Sequence, residues 1–173
     1  ILSLAAVAAL ALIGASWFLY QNLPEVKAAK AEKLLAEVKN LRNGILELKE
    51  KGDIAGAIKL ADNASLNPKY DEFKPEFFSQ KINLMLSVSN VTEAASEIVN
   101  AWKGDRRLAE AAFGQVYVFY RDNADNAAVQ AWCDKLLAID PKLPTAQLGQ
   151  IFGWKIISAL RAGLLKDACG FAQ

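Results

Sequence analysis

Cys133 and Cys169 are the only thiols in this sequence, too far apart for a CxxC redox pair and too few for a disulfide scaffold. Their 36-residue separation suggests equivalent places on successive helices, where a bridge would need a closer approach than packed helices allow. Small hydrophobic packing is their expected role. Histidine is absent, which removes the commonest general base, the commonest metal ligand and any c-type haem attachment. Carboxylates such as Glu47 and Glu50 sit beside Lys49 and Lys51 on what reads as a solvated face, with no burial to tune them for acid–base work. There is no glycine-rich phosphate loop and no metal-ligand cluster, so neither a cofactor nor an enzymatic activity is expected.

The remaining candidates are aromatic. Phe113, Val116, Tyr117 and Tyr120 recur at helical spacing, with Trp102 and Trp132 in flanking segments. Most of these fit a core. Tyr117 and Tyr120 carry hydroxyls that need water or a partner, so they are the pair expected to reach a ligand.

The elements that would position these residues are helices. Ala and Leu supply much of an apolar fraction of 53%, and few runs are rich in Val, Ile and Thr. Lys plus Arg (20) nearly cancels Asp plus Glu (19), so no global field draws the chain to nucleic acid. At 173 residues, one domain with an appendage is expected.

The appendage is the first segment. Residues 1–20 contain no charge and span roughly 30 Å as a helix, the thickness of a hydrocarbon core. Leu2, Leu10 and Ile13 supply apolar surface, while Trp17, Phe18 and Tyr20 fall where a chain leaves lipid for the headgroups. Gly14-Ala15-Ser16 would suit a signal-peptide cleavage point, but the apolar run continues through the aromatics. The expectation is a single-pass transmembrane anchor over residues 1–22, in contact with the bilayer, and a break at 23–26 around Pro24. Basic residues only slightly outnumber acidic ones beyond it, which leaves orientation open.

Past Pro24, Ala31, Leu34, Val38, Leu41, Ile45 and Leu48 step by three and four, predicting a helix over about 25–50. Gly52-Asp53 reads as a stop followed by an N-cap, and a second helix runs over 54–66 with Ala57, Ile58, Ala61 and Ala64 on one face. Asn67-Pro68 ends it. The punctuation recurs: closing turns at Asn67-Pro68, Gly104-Asp105 and Asp140-Pro141, inner turns at Gly52-Asp53, Asn90-Val91, Asn123-Ala124 and Gly163-Leu164. Ala57, Ala95, Ala128 and Ala168 fall at matching places in the inner helices. Helix pairs are predicted over 25–66, 75–103, 106–139 and from 144 onward, the last cut short at Gln173.

Gly52-Asp53, Ala57-Ile58, Ala64 and Asn67-Pro68 resemble the second half of a tetratricopeptide repeat, and the interval of about 36 residues is close to that family's period. The Trp, Gly and Tyr usual in the family's first helices are largely replaced here. The resemblance implies an all-α chain in which an α-solenoid of about four hairpins fills residues 27–173. Ala57, Ala64, Ala95, Ala128 and Ala168 would pack where helices approach closely, with Pro68 and Pro141 ending units. Some members clamp a peptide carboxylate with Lys and Asn on first helices; Lys39, Asn43 and Asn83 have partly similar placement, although Arg106 and Arg107 do not continue the pattern.

With the anchor, the whole is similar to membrane-tethered tetratricopeptide proteins of the bacterial inner membrane with periplasmic repeats. The function implied is a scaffold that docks proteins beside a membrane protein complex, with assembly or export as the setting. The alternative is a permanent accessory subunit of a respiratory, photosynthetic or secretion complex, its anchor packed through Ala5, Ala9, Ala11, Gly14 and Ala15.

Overall fold

A computed structural model describes residues 20, 22–139, 143–164, 167, 169 and 170. Among the described residues the fold is all-α, with seven α-helices and no strand. These are α1 (Pro24–Glu50), α2 (Ile54–Leu66), α3 (Lys74–Ser87), α4 (Val91–Gly104), α5 (Arg106–Asp122), α6 (Asn126–Ile139) and α7 (Thr145–Arg161). A 3₁₀ turn over Pro68–Phe73 separates α2 from α3, with Pro68 at its start and the Asn67 side chain accepting a hydrogen bond from Lys69 N at 2.9 Å.

No helix among the described residues is long and apolar enough to cross a membrane. This overturns the expected single-pass anchor and the inner-membrane location drawn from it. α1 has the length, at 27 residues, but is interrupted by charge throughout, from Glu25 and Lys27 to Lys49 and Glu50. α7 is more apolar but stops at 17 residues and carries Lys155 and Arg161. Of the residues assigned to the anchor, Leu2, Leu10, Ile13, Trp17 and Phe18 lie outside the described residues. Tyr20 is helical and 53% exposed.

The chain divides into two compact units, residues 1–43 and 44–173. In the first, Val38 is buried while Lys39 and Asn43 are exposed. In the second, each helix packs on its sequence neighbour, and α3 packs along α5 as well. One core runs through this second unit, holding Phe78, Ile82 and Met85 of α3, Ile98 and Trp102 of α4, Val116 of α5, Trp132 and Leu136 of α6, and Ile151 and Trp154 of α7.

The unit is organised by a turn used four times. Gly52, Ser89, Ala124 and Gly163 have φ of 79°, 60°, 55° and 75°, the left-handed region. Each lies one residue past the end of a helix turn that closes with two hydrogen bonds. Gly52 N donates to Lys49 O and Asp53 N to Leu48 O; the same pairs recur as Ser89 to Leu86 with Asn90 to Met85, Ala124 to Arg121 with Asp125 to Tyr120, and Gly163 to Leu160 with Leu164 to Ala159. This is the Schellman arrangement, which satisfies the last carbonyls of a helix through one left-handed residue. Asp53 and Asp125 then start the next helix, their Oδ1 atoms accepting from Gly56 N and Ala128 N at 2.9 Å each. Gly56 leaves room for this cap, since a Cβ there would lie 2.3 Å from Asp53 Oδ2.

Counting from these turns corrects the alanine register. The residue four past each N-cap is Ala57, Ala94 and Val129, with relative exposures of 0%, 0% and 1%. Ala95 is buried one position later, and Ala128 is only half-buried. A side chain after a tight turn is placed by its distance from the cap, and Asn90 and Asp125 start their helices at slightly different distances from the sequence landmarks. Ala64 is buried, Pro68 opens the 3₁₀ turn, and Pro141 and Ala168 lie outside the described residues. The cysteines are likewise inequivalent, Cys133 nine residues past Ala124 and Cys169 six past Gly163; both are free, the first buried and the second exposed.

Candidate functional site

α3, α5 and α7 each contribute residues to a common groove of about 570 Å³. α3 contributes Asn83. α5 contributes Glu110, Ala111, Phe113, Gly114, Gln115, Tyr117 and Val118. α7 contributes Gln150 and Trp154. Steps of three and four place Glu110, Phe113, Gly114 and Tyr117 along one side of α5.

The aromatic part is tightly ordered. Tyr117 and Trp154 stack with ring centroids 4.2 Å apart and planes within 6°, and Phe113 lies 5.4 Å from Trp154 at 41°. Behind it Trp102 meets Phe113 edge-on at 5.9 Å, and Trp132 Nε1 donates to Phe113 O at 3.2 Å. Trp154 lies beside Gly114 of α5, where a Cβ would meet its ring at an ordinary 3.6 Å. Both Tyr117 and Trp154 are more than nine-tenths buried, so the groove meets their edges.

The polar part is mostly amide. Asn83 is exposed. Gln115 Nε2 donates to Ser79 Oγ on α3, tying the two first helices together, while Gln115 Oε1 is buried with no hydrogen bond. Glu110 accepts from Arg106 Nε at 2.8 Å across one turn of α5. Arg106 reaches onward to Gln147 of α7 at 3.1 Å and lies over the Trp102 ring at 5.4 Å.

Of the expected partner residues, Asn83 and Tyr117 are brought together here. Tyr120 is not in the groove; it is half-buried against the core, edge-on to Phe119 at 6.0 Å, and burial followed by the Asp125 carboxylate raises its pKa. Lys39 and Asn43 belong to the other unit and are not among the lining residues. Glu110, Gln115, Gln150 and Trp154 had not been singled out as site residues. Gln115 and Trp154 each stand nine residues before a left-handed turn residue, but the same place before Ser89 holds Gln80, which is not among the lining residues, so register alone does not single them out.

Comparisons with protein-family models, curated proteins and solved structures find no match. The site must therefore be read from its own chemistry. Cys133 cannot serve as a ready nucleophile at neutral pH: burial pushes its thiol up to about 12, against a smaller opposing pull from the Lys155 ammonium. Among the described residues no group of three His, Cys, Asp or Glu side chains could hold a metal ion. What the groove offers is an aromatic wall, the Asn83 and Gln150 amides, and a carboxylate already paired with Arg106, a set suited to holding an extended chain by shape and hydrogen bonds.

Proposed function

We propose that the chain is a non-enzymatic docking module of tetratricopeptide-like hairpins, and that the groove of α3, α5 and α7 receives a segment of another protein. The observation that carries this reading is the groove's composition across three helices: the Asn83 and Gln150 amides line it together with the Tyr117–Trp154 stack. Primary amides both donate and accept, as a peptide backbone does, so they can engage an extended segment whatever its side chains. Aromatic edges add apolar contact at little entropic cost. The fourfold left-handed turn supports the repeat reading, since such arrays place their first helices side by side and bind along them.

Selection of displayed random peptides on the purified protein, followed by mapping of each binder by NMR, tests this. Binders should perturb the side-chain amides of Asn83 and Gln150 and the Trp154 indole. Binders that map instead to the second helices, around Lys59, Asn100 and Lys135, or a selection that yields nothing above background, would remove the proposal.

A further inference from the structure

We propose that the outer face of α7 pairs with α7 of a second copy of this chain, in an antiparallel, two-fold helix contact. The inference goes beyond the groove and does not depend on what docks there.

Matched positions along the array mark this face as a seat with its cover missing. Eleven residues before their left-handed turn residues, α3, α5 and α7 carry Phe78, Phe113 and Phe152; ten before them stand the small residues Ser79, Gly114 and Gly153. At the first two places the next helix of the stack supplies a cover. Gln115 of α5 bonds to Ser79. Trp154 of α7 lies in ordinary contact with Gly114, and its ring centroid is 5.4 Å from that of Phe113. Phe78 and Phe113 are accordingly 4% and 7% exposed, whereas Phe152 is 37% exposed. Among the described residues nothing beyond its own turn lies within 4 Å of a Cβ placed on Gly153, and the same holds for Gly149 one turn earlier. Glycine is, after proline, the least favourable residue inside a helix, and it is used where another backbone comes close.

Charge and shape then choose the occupant. From Thr145 to Leu160 no exposed or half-buried residue of α7 is charged, and the one charged side chain in that span, Lys155, is buried on Asp134. α5, by contrast, exposes Arg107, Glu110 and Asp122. A partner selected by charge finds nothing to read on α7, while the same face can meet itself without repulsion, in a chain whose net charge is only +1. The face also carries both halves of a fit. α7 runs Thr145–Arg161, so a two-fold axis near its middle sets Phe152 of one copy opposite Gly153 of the other, and Ile156 opposite Gly149. Each bulky side chain meets a notch on both sides of the axis, as an isologous contact demands. Ile157 and Leu160, 42% and 49% exposed, extend the apolar patch.

Sedimentation equilibrium over about 1–500 µM protein tests this. One helix pair is a small interface, so a reversible dimer with a micromolar Kd is expected. Gly153→Leu fills the notch and should weaken the dimer at least about tenfold, while the thermal melt of the dilute protein holds or rises because leucine favours a helix more than glycine does. Gly149→Ala, a smaller change, should weaken the dimer in the same sense and serves if leucine disturbs the fold. A monomer throughout the range overturns the inference and leaves the face to another protein or to residues of the same chain. A dimer whose Kd neither variant moves, or an assembly larger than a dimer, overturns it as well.

Discussion

Lys155 Nζ lies 2.6 Å from Asp134 Oδ1, and this contact repeats, two hairpins further along, the 2.8 Å contact of Lys81 with Asp62. The registers match. Each lysine stands eight residues before a left-handed turn residue, Ser89 or Gly163, and each aspartate ten residues after one, Gly52 or Ala124. Both pairs join a second helix to the next first helix, α2 to α3 and α6 to α7. At the intervening junction, α4 to α5, the same two positions hold Val99 and Val116. Among these three junctions the order is therefore ionic, apolar, ionic. In each pair the lysine is buried and the aspartate is not, so the contact is weak evidence of stability but suits a role in register, because a slipped helix would leave a buried lysine unpaired.

The first prediction concerns Lys81, whose side chain is only 8% exposed and which also meets Glu97 at 3.1 Å. Burial pulls its pKa down, but the hydrogen bonds it donates to Asp62 and Glu97 outweigh this and leave it raised. A double-mutant cycle with Lys81→Met and Asp62→Ala should give a coupling of about 1–3 kcal/mol by urea denaturation. A coupling within error of zero would show that the pair does not act as one.

This order can be tested by changing it. Val116 is fully buried and Val99 packs partly buried against the same core. Val116→Lys alone should cost about 3 kcal/mol or more, since it buries an unpaired ammonium. Adding Val99→Asp should recover at least about 1 kcal/mol of that by rebuilding the pair found at the neighbouring junctions. A double variant no more stable than the two single losses combined would argue that the matched register is incidental.

The left-handed turns give a third prediction. Two of the four use glycine and two use residues with a Cβ, Ser89 and Ala124, in a region that costs an L-residue about 1 kcal/mol or more. Ser89→Gly and Ala124→Gly should each stabilise the protein by about 0.5–1 kcal/mol, while Gly52→Ala and Gly163→Ala should destabilise by about 1 kcal/mol. Thermal or urea melts of the four variants should split by sign. If all four move the same way, backbone strain is not what distinguishes these turns.

These turns also explain how much could be read in advance. Gly52-Asp53 announced its helix end because glycine and a capping aspartate both signal it, and α1, α2 and α4 to α6 begin and end close to the predicted places. The 3₁₀ segment at Pro68–Phe73 was hidden, since a proline that closes one helix can equally open a short turn. Ser89 gave no cue, being ordinary in type and unusual only in φ. The groove was half legible: Tyr117 stood out as an aromatic with a hydroxyl, whereas Gln115 and Gln150 are residues that usually cover a solvated face. Only three helices brought side by side make them a lining. The apolar opening segment suggested a membrane span by length and composition, criteria that none of the helices described here meets.

A last prediction follows from Cys133, fully buried on α6, whose thiol burial pushes to about 12 from an ordinary value near 9. The unfolded chain releases this proton first as pH rises, so above about pH 9 the unfolded state binds fewer protons than the folded one. The stability linked to Cys133 is fully present below pH 9 and is lost between about pH 9 and 12, with a slope that cannot exceed about 1.4 kcal/mol per pH unit. Lys81 and Tyr120, both raised, act with the same sign, but only as pH passes their ordinary values of 10.5 and 10.0. The interval from pH 9 to 10 therefore isolates the thiol. Urea midpoints measured under reductant across that interval should fall more steeply for the natural chain than for Cys133→Ala. Parallel profiles would mean that the thiol ionises in the folded protein about as readily as in the unfolded chain, and that its burial does not hold the proton.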